Sequence, residues 1–323
     1  MSDTRRDLLR SAVSVAIGTV AVSAQQSGQV PPIGRGPSPG RGSDQRPASH
    51  PAPASEVQVP KVKFGGAEIS RLVCGCNPFY GFSHFNRTTD TLMQEYYTAE
   101  RVCNVLHQCN RFGINAFNYY PGGRGQQDFE RFRAEGGRMH LIAQGIGDPT
   151  DVIQALKPLA IYHHGGNTDR AFQNGEMGSV KEWCKKVRDL GALVGVGSHK
   201  PEVIALVEEE NWDVDFYAGC VYNVTRTTDE WNQVLSRELV EMQGDCYLQS
   251  DPPRMYKVLR AVRKPCFAYK ILAAGRVTNV EQAFKTAFAS IKPNDGVFLG
   301  LFPVTRDEVR EDAERAHRIL GGS

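Results

Sequence analysis

The sequence predicts an eight-stranded parallel (β/α)8 TIM barrel, and three observations predict it. Short β-rich runs alternate with amphipathic helical patterns along the chain, at 72–77, 115–119, 140–145, 160–163, 193–198, 216–222, 266–271 and 297–301. Strand followed by helix followed by strand means parallel neighbours joined by crossover helices, and eight such units close on themselves. The span from Val57 to Ser323 also has the length of one such domain. Finally, no glycine-rich phosphate turn follows the first strand, as a dinucleotide-binding open sheet would require.

The helical patterns lie at 99–112, 180–190, 201–209, 253–262, 280–290 and 306–320. Gly113 and Gly191 stand just beyond two of them and directly before strands, where a left-handed residue ends a helix. Seven of the eight cysteines fall inside these elements, Cys74, Cys76, Cys220 and Cys266 in strands and Cys103, Cys109 and Cys184 in helices. That placement suits small buried apolar residues better than a disulfide framework, and no cysteine–histidine spacing suggests structural zinc.

The ends carry different information. Residues 1–24 pair Arg5 and Arg6 with Leu8 and Leu9, then continue through a mild apolar run to Val22-Ser23-Ala24. This pattern resembles a twin-arginine export signal, so the expected partner is the twin-arginine export machinery and the expected location is periplasmic or secreted. The apolar run is too short to span a bilayer, and no membrane anchor is expected after cleavage. Residues 25–56, rich in Pro, Gly, Ser and Arg, read as a disordered linker, leaving 57–323 as the barrel. The whole chain carries a net charge of only +2, which gives no electrostatic case for nucleic acid. A small-molecule substrate is expected instead.

In a barrel of this kind reacting groups sit where strands finish. Those positions hold Asn77, Asn118 with Tyr119 and Tyr120, Gln144, His163 with His164, His199, Tyr222 with Asn223, Lys270 and Gly300. The run Leu159-Ala-Ile-Tyr-His163-His164-Gly-Gly is the sharpest, an apolar strand ending in two imidazoles. Side chains alternate across a strand, so the two rings face opposite ways. His163 is expected as the acid/base, with Asn118 and Gln144 orienting substrate and Lys270 a further catalytic candidate. Asn77, Tyr119, His164, His199, Tyr222 and Asn223 are expected to bind substrate. Lys270 lies in an apolar run and is open to three readings: a nucleophile or base, an anion contact, or the partner of Asp251 or Glu176.

From residue 61 to 320 the chain resembles the aldo/keto reductase superfamily. The matching pieces are Phe64-Gly-Gly-Ala-Glu-Ile-Ser-Arg-Leu-Val-Cys-Gly-Cys-Asn-Pro, Phe112-Gly-Ile-Asn-Ala-Phe-Asn118, Gly195-Val-Gly-Ser-His199, Tyr222-Asn223 and Ala268-Tyr-Lys-Ile-Leu-Ala-Ala-Gly275-Arg276. A final loop and helix begin at Gly300 and contain Glu308 and Glu311. The resemblance implies an oxidoreductase acting on a carbonyl or sugar-derived substrate with NADP or NAD, the cofactor held through Gly300, Arg306 and Arg276. It also implies an aspartate, tyrosine, lysine and histidine in the site. Here Asn118 stands in the aspartate's place, Gln144 in the lysine's and His163 in the histidine's, while Pro121-Gly-Gly-Arg124 occupies the tyrosine's, with Tyr119 or Tyr120 nearby. Amides hydrogen-bond a substrate oxygen but cannot shift a neighbour's pKa by charge. Asp312 replaces an asparagine in the cofactor helix, and Arg310 reads as a solvated face.

Two other chemistries fit the same rim. A divalent metal would use His163 or His164, His199 and Asp148 or Asp169, though no tight ligand spacing supports it. This would serve a non-redox isomerase, lyase or hydrolase. A binding protein without turnover is the third possibility. Two long loops, 78–95 with Tyr80, Phe82, His84 and Phe85, and 225–251 with Trp231 and Tyr247, offer aromatic rings to cover a ligand or to pack the rim.

Overall fold

The computed structural model describes residues 55–235 and 245–321. The expected export signal and all but the last two residues of the expected linker lie outside the described residues. Eight strands form a closed, all-parallel barrel in sequence order: β3 (Leu72–Gly75), β4 (Ala116–Tyr119), β5 (His140–Gly145), β6 (Ala160–His163), β7 (Leu193–Ser198), β8 (Phe216–Cys220), β9 (Cys266–Tyr269) and β10 (Gly296–Gly300), with β10 pairing back onto β3. Each expected strand is present. The first, sixth and seventh end two residues early: Asn77 opens a short 3-10 turn, Asn77–Tyr80, and Lys270 has already turned to φ 60°.

The expected helices form at Ala99–Arg111, Met177–Asp189, Pro201–Glu209, Asp251–Ala261, Val280–Ser290 and Glu308–Gly321. Gly113 and Gly191 take φ values of 74° and 83°, the left-handed geometry that lets the chain reverse into β4 and β7. Among the described residues no helix is long and apolar enough to cross a membrane. All eight cysteines are free thiols, and seven are buried.

An antiparallel hairpin, β1 (Lys61–Phe64) and β2 (Ala67–Ser70), precedes the barrel and was not expected from the sequence. It covers the amino-terminal end. Phe64 packs edge-on against Phe216 and Phe267, both at 5.2 Å, inside the barrel. Asn115 fixes the hairpin by accepting from the Ser70 amide at 2.7 Å and donating to the Glu68 carbonyl at 2.9 Å.

Alternation along the strands divides the molecule into two cores. Val73, Ala116, Ile142, Ala160, Tyr162, Phe216, Ala218, Phe267 and Phe298 fill the barrel, while Phe117, Tyr119, Ile161, Val194 and Val196 face the helices. Gly195 and Gly197 on β7 are the small residues opposite large rings. A Cβ at Gly195 would stand 2.6 Å from the Phe216 ring, and one at Gly197 would stand 2.9 Å from Tyr162.

Candidate active site

The polar face of the barrel lies at the carboxyl ends of its strands, one layer above this aromatic filling. Asn118 on β4 and Gln144 on β5 point inward and bond to each other, Gln144 Nε2 donating to Asn118 Oδ1 at 3.0 Å. Gln144 also reaches the Cys76 sulfur at 3.4 Å, and Asn118 Nδ2 donates to the Tyr162 hydroxyl at 3.1 Å. The pair expected to orient substrate is therefore assembled at the mouth, with Tyr162 and Cys76 as its neighbours. Burial pushes the Cys76 thiol up to about 12.

Across the mouth lies a chain of three groups. Asp169, fully buried on the helix Gly165–Gln173, accepts from His199 Nδ1 at 2.7 Å, from the His199 amide at 3.1 Å and from Thr225 Oγ1 at 2.9 Å. Burial works against its charge, but these bonds, with one from Ser198, hold its carboxyl below the usual range. An ionised carboxylate only accepts, so His199 carries its proton on Nδ1. That leaves the Nε2 lone pair directed at the Tyr269 hydroxyl, 3.4 Å away. Tyr269 is the last residue of β9, and its pKa lies well above that of a free phenol through burial, with Tyr162 among the neighbours that add to the rise.

Sequence reasoning singled out His199 but missed Tyr269 and Tyr162, and offered Asp169 only as a metal ligand. Gly165 explains why glycine follows the two histidines. A Cβ there would come within 2.7 Å of the Tyr269 hydroxyl and 3.1 Å of His199 Cε1, so the helix start must lack a side chain for the two rings to meet.

The expected acid/base, His163, is not part of this group. It shares the outward parity of Ile161, and its ring stands edge-on to Trp183 at 5.1 Å with Nδ1 2.8 Å from Thr168 Oγ1. Burial there lowers its pKa to about 4. The other imidazole, His164, is the one at the rim: it is partly buried, and burial above all lowers its pKa to about 4. Tyr119 is likewise corrected from substrate contact to core, since its ring packs beside Phe117 in the helix layer.

The remaining expected residues divide between the rim and its supports. Asn77 opens the turn beside Cys76, its Oδ1 3.8 Å from that sulfur. Tyr222 packs edge-on against Tyr247 at 5.2 Å. Asn223 organises its loop, receiving the Thr225 amide on its side chain and giving its own amide to Asp251 at 3.1 Å. Lys270 binds neither Asp251 nor Glu176: Asp251 is closed on Arg226, and Lys270 Nζ donates to Asp245 at 2.8 Å. Trp231 is buried beneath the Arg226 guanidinium, so it packs the loop.

The residues expected to hold a cofactor are spread over the same end. Gly300 is exposed at the tip of β10, where a Cβ would meet the Pro78 ring at 2.8 Å. Arg276 lies between the rings of Phe85 and Tyr247, 4.6 and 4.5 Å from their centres. Arg306 lines an open cleft of about 380 Å³ with Asn279, Glu281, Glu311, Arg315 and Arg318, outside the barrel mouth. Arg315 and Arg318 are closed on carboxylates there, whereas Arg306 is 54% exposed and no nearer than 3.7 Å to Glu311. Asp312 is buried against Arg315 at 2.6 Å, and burial raises its carboxyl to about 7. Of the expected metal ligands, His163 faces outward and Asp148 is exposed on Lys186, while Asp169 is bonded to His199, with His164 at the same rim. Among the described residues no three His, Cys, Asp or Glu side chains are placed to hold a metal ion.

No family model matches the chain, and no curated protein matches it. Among solved structures, a glycerol dehydrogenase from Gluconobacter oxydans is similar over 79% of this chain and 94% of its own, at 11% identity and a TM-score of 0.43. A phospho-2-dehydro-3-deoxyheptonate aldolase from Thermotoga maritima is similar over 82% of this chain and 74% of its own, at 12% identity and a TM-score of 0.46. Likeness at this level carries no information about chemistry, and the closed eight-stranded barrel stands on the strand pairing itself.

Proposed function

We propose that this chain is an exported enzyme of aldo/keto reductase type that moves a proton to or from a hydroxyl or carbonyl oxygen of a small molecule at the barrel mouth, with Tyr269 as the acid/base. One observation carries this reading: the Asp169–His199–Tyr269 chain ends on a phenol at the inward end of β9, across the mouth from the Asn118–Gln144 pair. An isolated phenol is a poor acid at neutral pH and needs a partner to exchange its proton with. His199 Nε2 is that partner, and the Asp169 carboxylate stabilises the imidazolium formed when it accepts. The Asn118 N–H groups are bonded to the Ile142 carbonyl and Tyr162, and those of Gln144 to Asn118 and the Cys76 sulfur, so a substrate oxygen would replace one of these acceptors and have its developing negative charge stabilised by an uncharged donor. The twin-arginine-like amino terminus supports the periplasmic or secreted location.

The proposed cofactor is NADP or NAD. Arg306, as the least committed guanidinium in its cleft, is the residue that would hold a nucleotide phosphate. A nicotinamide bound near the mouth would supply or accept the hydride, while the chain's own residues handle the proton. The proton chain itself works equally without redox chemistry, which keeps an isomerase or lyase as the second reading.

The deciding experiment purifies the exported protein, analyses it for bound nicotinamide, and measures NADPH and NADH consumption with a panel of aldehydes, ketoses and oxidised polyols. Turnover that falls at least a hundredfold in Tyr269→Phe and stays within threefold of the parent in His163→Gln supports the reading. Turnover unaffected by Tyr269→Phe overturns it.

A further inference from the structure

The polar groups of the mouth are assembled but covered: Asn118 is 5% exposed, and Gln144 and His199 are 7% exposed. A ligand therefore reaches them only after something moves. Three loops meet at this end, following β3, β8 and β9, and their contacts converge on one carboxylate. Asp245 accepts from Lys270 Nζ at 2.8 Å, from His84 Nδ1 at 2.9 Å and from the Tyr247 hydroxyl at 3.1 Å. Burial opposes its charge, yet His84 and Lys270 hold its carboxyl far below the ordinary range.

A second contact ties the same loops. The Arg276 guanidinium is sandwiched between Phe85 and Tyr247, and Nη1 donates to the His84 carbonyl at 3.0 Å. These contacts are polar or cation–π and lie among the loops outside the barrel, with the Asp245 side chain 23% and the Lys270 side chain 10% exposed, so they separate without opening the apolar core. Two of the residues that bind Asp245 also sit in left-handed backbone, His84 at φ 55° and Lys270 at φ 60°, a conformation unfavourable for side chains with a Cβ.

We propose that Asp245, with His84, Lys270 and Arg276, forms a latch that closes the barrel mouth, and that its release admits the ligand. The inference rests on reading the mouth as the site, but the latch itself is testable without turnover. Cys220 ends β8, is fully buried, and lies within the fields of Lys270, Asp169 and Asp245. It reports on opening. Cys184, buried on the helix Met177–Asp189, has no part in the latch and reports on general loosening.

The test treats the full chain, carrying Cys246→Ser to remove the thiol beside the latch, with an uncharged maleimide and follows each cysteine by mass spectrometry. In Asp245→Asn and, separately, in Arg276→Ala, labelling of Cys220 should accelerate at least tenfold while Cys184 keeps the parent rate. Unchanged Cys220 labelling in both variants overturns the latch, as does equal acceleration at Cys184. Because labelling needs no substrate, loss of the acid/base reading through an active Tyr269→Phe enzyme would leave this result standing, and the reverse holds too.

Discussion

Replacing His163 should change how stability depends on pH, and the structure fixes both direction and size. The ring's pKa falls from 6.5 to about 4 in the folded protein because burial between Trp183 and Thr168 disfavours its charge. Between pH 6.5 and 4 the unfolded chain takes up a proton that the folded chain refuses, so stability falls as pH drops through that window and is fully present above it. A 2.5-unit depression corresponds to at most about 3.4 kcal/mol at 1.36 kcal/mol per unit. The ring is not fully enclosed, and solvent screening reduces this to roughly 1–2 kcal/mol. At pH 8, His163→Gln loses the edge contact with Trp183 and the Thr168 bond, a cost of about 1–2 kcal/mol. The wild type should therefore be more stable at pH 8, with the gap closing or reversing near pH 5. Asp312 pulls the other way in the parent: its raised carboxyl keeps a proton when folded, so its contribution weakens as pH rises from about 4 to 7. Comparing parent and variant at each pH cancels that term. Urea unfolding at pH 5, 6, 7 and 8 measures the difference, and parallel curves would refute the burial argument.

Other expectations follow from the same geometry. Gly165→Ala places a methyl group against the Tyr269 hydroxyl and should lower turnover about tenfold or more, with a melting temperature close to the parent's. A fully active Gly165→Ala enzyme would mean that the Tyr269–His199 approach is not used. Gly197→Ala forces the Tyr162 ring and the His163 carbonyl apart and should cost about 1–3 kcal/mol in denaturant unfolding. Arg306→Glu should weaken nucleotide binding at least tenfold in a fluorescence titration; unaltered affinity would move the phosphate away from this cleft.

The barrel was legible in the chain because its strands and helices carry different periods, and the breaks between them fall on glycines. β5, β6 and β7 run over the expected residues. The hairpin escaped notice because two four-residue strands joined through Gly65 and Gly66 give too little pattern to separate from an irregular lead-in. The polar groups do gather at the carboxyl ends of the strands, but which of them face the mouth was only partly readable. Alternation made the two imidazoles of His163-His164 face opposite ways, yet choosing between them needed the parity of β6. The clue lay on the neighbouring strand: Gly195 and Gly197 leave space for rings inside the barrel, which puts Tyr162 inward and His163 outward. Tyr269 carried no such mark, since its role depends on a histidine 70 residues earlier that only closure of the barrel brings beside it.

The hairpin at the base has an effect on traffic. With Phe64 wedged among Phe216 and Phe267, the cylinder is blind at one end, so whatever enters must leave by the same door. Two reactants cannot approach from opposite ends, and a spent molecule left inside would block the next arrival. Exchange at that single entrance thus sets an order of events that a through-channel would not impose.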